Sequence, residues 1–296
     1  SLFSEHPEFF PLIDGRRVPE GQLCLSNPEL QEFFAQRVIE NARTTPRLMM
    51  TSIDPNDGGG WCECEPCQAM DDPKVPSGRG GGLSMSSRVA AFNNIIARKV
   101  AKELPGLRLY CLAYSQYTEP PTRVDHLEKN LVIGLAPFAG AFSDYSRSLL
   151  DRESQPNRNF LESIKGFHQL GVTMYGREYL SYYAWPGPLP LLWVMQDRFR
   201  VYRDYGFIGV YNETHPCWGP QGISLYFSLK LLWNPDLDLK AAIADYCRAA
   251  YGPAARPMQR YHEKIEARGK GGPYFGSGGS HAIGLFTTEF LDTLKK

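Results

Sequence analysis

The chain has 296 residues, 43% of them hydrophobic, with Lys+Arg and Asp+Glu both at 32 and a formal net charge of zero. That excludes global disorder and leaves no charge excess to draw nucleic acid or an anionic membrane. No apolar run approaches the ~20 residues of a membrane span, and seven cysteines are too few for a disulfide-built scaffold of this length.

His6 to Cys24, with Pro7, Pro11, Gly15, Pro19 and Gly21, reads as a long loop with no strand-like run. Asn27 and Pro28 are a good N-cap and first-turn pair. Leu30, Phe33, Phe34, Val38 and Ile39 then make one apolar helix face through Ala42. Leu48 to Ile53 is a short apolar strand. It delivers Asp54, Asn56 and Asp57, three glycines that allow a tight turn, Trp61, and the cluster Cys62-x-Cys64-x-x-Cys67. This loop runs to about Gly82.

Ser84 to Leu104 is a helix, with Val89, Phe92, Ile96, Val100 and Leu104 at helical spacing, and Pro105-Gly106 stops it. The strand Leu107 to Ala113 leads into Tyr114, and the strand Asn130 to Leu135 leads into Phe138 and a loop with Ser143, Asp144 and Tyr145. Phe160 to Leu170 is helical. The short strand Val172 to Tyr175 delivers Arg177 and Glu178, and a loop with Trp185 and three prolines follows. After the helix Leu191 to Tyr205, the strand Phe207 to Tyr211 delivers Glu213 and His215, then Cys217 and Trp218. Three helices follow, Ile223 to Leu232, Leu239 to Tyr251 and about Ala254 to Arg268. Gly269 to Gly284 is glycine-rich and expected to be mobile.

Strands alternating with helices mean parallel βαβ units. Polar clusters directly after four of the five strands match a (β/α)8 TIM-barrel type with its site at one end. Five strands are too few for closure, so the expected fold is an incomplete barrel that lacks its N-terminal strands and exposes an apolar inner wall. The expected organisation is a partial barrel over residues 1–220, a helical part packed on it over 221–268, and a Gly-rich tail over 269–296. The N-terminal part of the same protein is then an expected partner. The chain starts at Ser1 without a visible signal peptide, which an excised or mature segment would also do.

Several segments together resemble a known group: His6-Pro-Glu-Phe-Phe with Gly15-Arg-Arg, Leu23-Cys-Leu-Ser-Asn-Pro-Glu, Asp54-Pro-Asn-Asp-Gly with Cys62-x-Cys-x-x-Cys, Ala113-Tyr-Ser-Gln-Tyr-Thr-Glu-Pro-Pro, and Leu232-Trp-Asn-Pro-Asp-Leu-Asp. The chain is similar, from about His6 to Arg268, to a domain-of-unknown-function family found in large, often secreted bacterial proteins. That family is itself similar to the α-glucuronidases, which are (β/α)8 glycosidases. The resemblance implies a glycoside hydrolase-like protein acting on a polysaccharide or oligosaccharide, with uronic-acid-containing ones among the candidates, in a secreted or periplasmic setting. It puts Asp57 or Asp54 near the general acid, and Glu178 and Asp144 near the base pair. The acid of the α-glucuronidases is Glu where this chain has Asp, and the α-glucuronidases lack the cysteine cluster.

Glycoside hydrolysis needs two carboxyl groups about 5–5.5 Å apart for retention or about 6.5–9.5 Å for inversion. The candidate catalytic acids are Asp57, Glu178, Glu213 and Asp144. Arg177 beside Glu178 suits a base, and an aromatic wall at Trp61 suits Asp57 as the acid. Candidate substrate contacts are Asp54, Asn56, Trp61, Tyr114, Arg177, Trp185, His215 and Trp218. A non-catalytic carbohydrate-binding barrel is the alternative. No cofactor is required for either. Cys62, Cys64 and Cys67 admit three readings: a structural zinc site completed by Cys24, Cys111 or a His, a disulfide, or free thiols.

Overall fold

The computed structural model describes residues 1–71, 82–138, 142–181, 185, 187–214, 217–277 and 281–295. The chain divides into two compact units, Ser1–Leu135 with Lys165–Met174, and Ala136–Ile164 with Tyr175–Lys296. The architecture is mixed α/β, with five parallel strands.

The first unit opens with α1 (Leu2–Glu5) and a small hairpin, β1 (Leu12–Ile13) and β2 (Arg16–Arg17). Leu12 pairs with Arg17 and Ile13 with Arg16. The two loop residues, Asp14 and Gly15, both have positive φ, 49° and 74°. An Asp-Gly pair with that backbone is a strong hairpin signal, and it overrides the reading of His6 to Cys24 as strandless.

Helix α2 (Pro28–Thr44) starts where expected, because the Asn27 side chain accepts from the backbone N–H groups of Glu29 and Leu30 at 2.8 and 3.0 Å. Its apolar face packs against α4 (Ser86–Glu103), with the Phe34 and Phe92 rings 5.3 Å apart. Between them lie β3 (Met50–Ser52) and the one-turn α3 (Glu65–Gln68).

Strand β3 pairs in parallel with β4 (Arg108–Ala113), and β4 with β5 (Leu131–Leu135). All five residues of β5 are buried, as a parallel strand covered on both faces requires. The opening residues of β6 (Thr173–Ser181) come next in sheet order. They follow α5 (Gln155–Gln169), whose last turn belongs to this unit.

In the second unit the rest of β6 pairs in parallel with β7 (Val210–Thr214). Strand β6 extends six residues beyond the expected Tyr175 end, to Ser181, so Glu178 lies inside the strand. From Glu178 to Ser181 the strand advances three residues while its partner advances two, from Asn212 to Thr214, which is a β-bulge. Asn212 Oδ1 accepts from the Leu180 backbone N–H at 2.8 Å, satisfying a donor in that stretch.

The helices are α6 (Leu192–Asp204), α7 (Trp218–Trp233), α8 (Leu239–Tyr251), α9 (Ala255–Gly269) and α10 (Thr288–Leu294). The described part of the glycine-rich tail packs rather than hanging free. Phe275, Ala282 and Leu285 are buried, and the Tyr145 N–H donates to the Phe275 carbonyl at 2.7 Å. Gly269 permits this approach, since a Cβ there would stand 2.3 Å from the Pro190 ring. No described helix is long and apolar enough to cross a membrane.

Helix α6 has no side-chain cap of its own. Glu266 of α9 supplies one, accepting from the Leu192 and Trp193 N–H groups at 3.2 and 3.1 Å. Burial of its carboxylate pushes it up from 4.5 to about 7, against the pull of those donors. A folded value above the unfolded one stabilises fully below pH 4.5 and is lost as pH rises through about 7. Urea unfolding should therefore show stability falling less from about pH 5 to about pH 8 in Glu266→Gln than in the parent, because the variant lacks this linkage.

Candidate functional site

Parallel strands end on the same side of a sheet, so the loops after β3 and β4 in the first unit share one end. The loop after β3 is held by backbone-directed amides. Gln22 Nε2 donates to the Asn56 carbonyl at 2.6 Å, and its Oε1 accepts from the Asn56 N–H at 2.9 Å. Asn56 Nδ2 donates to the Gly21 carbonyl at 2.8 Å. Gly21 and Gly60 touch so closely that a Cβ on Gly21 would lie 2.7 Å from the Gly60 oxygen, which explains a glycine at φ 100° there.

Trp61 donates to Gln116 Oε1 at 2.6 Å and meets Tyr117 edge-on at 5.9 Å, and Tyr117 in turn contacts Tyr114. Asp54 accepts from the Leu112 N–H at 2.6 Å through one oxygen, tying the strand end to β4, and from Ser52 Oγ of β3 at 2.7 Å through the other. Asp57 is exposed at the tip of this loop.

In the second unit, side chains alternate across β6. Gly176 and Glu178 face α6: a Cβ on Gly176 would stand 2.8 Å from the Tyr202 ring. Glu178 is 0% exposed, and it meets Arg198, itself 2% exposed, at 3.4 Å. Tyr202 donates to the same oxygen, and Tyr145 to the other at 3.2 Å. Burial, with the neighbouring carboxylate, pushes both phenols well above their usual range, so they stay protonated donors. The Arg198 guanidinium also lies 4.9 Å from the Tyr145 ring centre and 5.4 Å from that of Phe160. Glu178 was expected at a strand end, open to the mouth. The longer strand and its pleat turn it inward instead.

Arg177 lies on the opposite face, directly across from Tyr211. Its guanidinium stands 4.5 Å from the Tyr211 ring and 5.2 Å from that of Tyr179. One nitrogen bonds Glu213 at 2.6 Å, while Nη1 is buried with no hydrogen-bond partner among the described residues. The Glu213 side chain is 30% exposed. This is the assembly of charge and aromatic surface that the sequence expectation of Arg177, Glu213 and a strand end shares with the fold.

Asp144 is buried and accepts from Ser146 through one oxygen, at 2.6 Å, and from Ser154 through the other, at 3.0 Å. It organises its own loop. Trp185 stacks on Phe286 at 5.6 Å and donates to the Pro188 carbonyl at 3.1 Å, fastening its loop to the C-terminal segment. Trp218 is 63% exposed at the start of α7. His215 lies outside the described residues.

The four cysteines Cys24, Cys62, Cys64 and Cys67 form one cluster in the first unit, with all four sulfurs within 4.8 Å of one another and Leu12 and Met70 packed alongside. Cys24 is thus the sequence-distant member, while Cys111 is not in the cluster. None of the four is joined in a disulfide. Hydrogen bonding from Cys67, reinforced by Arg17 and Ser26 against burial, holds Cys24 down at about 4, and the same bond pushes Cys67 up.

Sequence reading passed over Gln22, Arg17, Ser26, Gln116, Arg198 and Tyr202. Only the last pair carried a signal: an arginine and a tyrosine four residues apart among the buried positions Leu192, Met195 and Phe199 of α6.

Fold and residues together define an α/β protein with parallel strands whose ends carry acids, tyrosines and one arginine. The chain belongs to the family described as Domain of unknown function (DUF4838), whose model matches residues 2–264. No curated protein matches it.

Removing one partner of a buried ion pair strands the other, at about 3–5 kcal/mol. Glu178→Gln should therefore destabilise the chain by that order in chemical denaturation. The double variant Glu178→Leu/Arg198→Met should recover most of it, since an apolar replacement of the whole pair leaves no stranded charge.

Proposed function

We propose that the chain is a carbohydrate-directed, glycoside hydrolase-like protein of (β/α)-barrel type, with Glu213 rather than Glu178 as the carboxylate offered to substrate. The observation that carries the reading is the Arg177–Glu213 pair at 2.6 Å on adjacent parallel strands, flanked by the Tyr179 and Tyr211 rings. Acids and aromatic faces at strand ends suit a sugar ring: the faces stack, and the polar groups take its hydroxyls.

A sugar bearing a carboxylate adds a partner for the exposed part of the Arg177 guanidinium, whose side chain is 17% exposed. The incomplete (β/α)8 barrel and a secreted or periplasmic setting belong to the same proposal. A metal held by the four cysteines takes no part in the chemistry, because four thiolates leave no open coordination position.

A specific observation favours a second reading, a carbohydrate-binding barrel without turnover. Asp54, Asp144 and Glu178 each spend both carboxylate oxygens on structural hydrogen bonds.

A screen of aryl glycosides, neutral and uronic, separates the two. On any substrate turned over, Glu213→Gln should lower kcat by about 100-fold or more while leaving the melting temperature near that of the parent. Unchanged kcat in Glu213→Gln would remove the assignment. Saturable sugar binding with no turnover in the parent would establish the second reading.

A further inference from the structure

We infer that Cys24, Cys62, Cys64 and Cys67 together bind one zinc ion as a closed tetrathiolate site that organises the loop between β3 and α3. The inference stands apart from the carbohydrate reading and does not depend on it.

The first argument is geometric. A tetrahedral zinc with Zn–S bonds of about 2.3 Å sets its sulfurs about 3.8 Å apart. The observed separations are 3.4 Å for Cys62 to Cys64, 3.6 Å for Cys24 to Cys64 and 3.9 Å for Cys24 to Cys67. These three lie close to that value, and all four sulfurs lie within 4.8 Å of one another. Cys64 lies close to both Cys24 and Cys62, and Cys24 close to both Cys64 and Cys67, so the cluster does not fall into two separate pairs. Cys24, Cys62 and Cys67 are buried, with Cys64 half-buried at the rim.

The second argument concerns what surrounds the sulfurs. Four thiolates around a dication leave two negative charges in excess, so donors must face them. Three do. The Leu12 N–H donates to Cys62 Sγ at 3.3 Å, and Arg17 Nη1 donates to the same sulfur at 3.7 Å. Ser26 Oγ stands 3.1 Å from Cys67 Sγ and 3.7 Å from those of Cys24 and Cys64. Arg17 is held in place by its bond to the Phe10 carbonyl at 2.5 Å. The β1–β2 hairpin therefore brings both a backbone amide and a guanidinium to the cluster.

The third argument is what a metal would do here. Helix α3 has four residues, too short to stand by itself. Cys64 is its N-cap residue and Cys67 lies in it, while Cys62 closes the glycine run and Cys24 precedes α2. One ion thus joins the segment before α2 to the segment after β3. It fixes the C-terminal end of the stretch that carries Asp54, Asn56, Asp57 and Trp61, whose other end is held by β3. Loss of the ion frees Trp61 from its bond to Gln116.

The test is the metal content of the chain purified without metal-affinity steps. Elemental analysis should find about one zinc per chain. Cys24→Ser should lose most of it, and Cys217→Ser, outside the cluster, should keep it. Arg17→Met should weaken zinc retention against a competing chelator by about 10–100-fold, the usual effect of an outer-shell partner.

Because Cys24→Ser can fail to fold, the parent is also loaded with cobalt. Thiolate-to-cobalt charge-transfer bands with tetrahedral visible absorption support the site. Stripping the ion should shift Trp61 emission, a change absent from a Trp61→Phe variant. Zinc-free folded protein whose mass shows disulfides, or zinc retained in folded Cys24→Ser, overturns the inference.

Discussion

The carboxylate of Glu178 and the guanidinium of Arg198 meet at 3.4 Å with almost no exposure, and the packing of the second unit is arranged around that charge pair. Two charges taken from water need every remaining valence filled. Tyr145 and Tyr202 fill those of the carboxylate, while the guanidinium is covered by the Tyr145 and Phe160 rings and its Nη2 has no hydrogen-bond partner among the described residues. Gly176 leaves the room that Tyr202 occupies. Since the pleat assigns neighbouring residues to opposite faces, burying Glu178 presents Arg177 and Tyr179 on the other face. There Arg177 meets Tyr211 and Glu213 of β7 as well as the Tyr179 ring.

The first unit solves a different problem. In its long loop after β3, as far as Asp71, only Ile53, Cys62, Cys67 and Asp71 are buried. Polar groups from the preceding segment hold it instead: Gln22 and Gly21 grip Asn56 and Gly60, while Asp54 ties back to β4. The cysteine cluster closes the far end, with Leu12 and Arg17 of the hairpin turned toward it. The small hairpin thereby gains a purpose that two residue pairs of ladder could not by themselves sustain, since a two-stranded ribbon alone is marginal in water.

Helices and strands were legible because each follows from local rules. Asn27-Pro28 starts α2, Pro105-Gly106 ends the α4 segment, and the unbroken apolar run of β5 is what a doubly covered parallel strand needs. The grouping of three cysteines was legible for the same reason, as was the presence of an acid or arginine near each later strand end. The Asp14-Gly15 turn was equally local and was overlooked because its strands have only two residues each.

What no local rule supplies is partnership across distance. Cys24 joins residues about forty positions away, and Gln22 reaches thirty-four positions to Asn56. Whether an acid is a tool or a fixture depends on such partners. Asp54, Asp144 and Glu178 look like Asp57 and Glu213 when read along the chain, yet the folded structure spends their oxygens on serine, tyrosine, arginine and backbone donors. The sequence by itself determined the alternation of strands and helices and the residue types at their ends, because period and capping act within a few residues. Only the tertiary structure decided which of those side chains is buried and which faces solvent, because strand length, register and the covering helix together set where each side chain points.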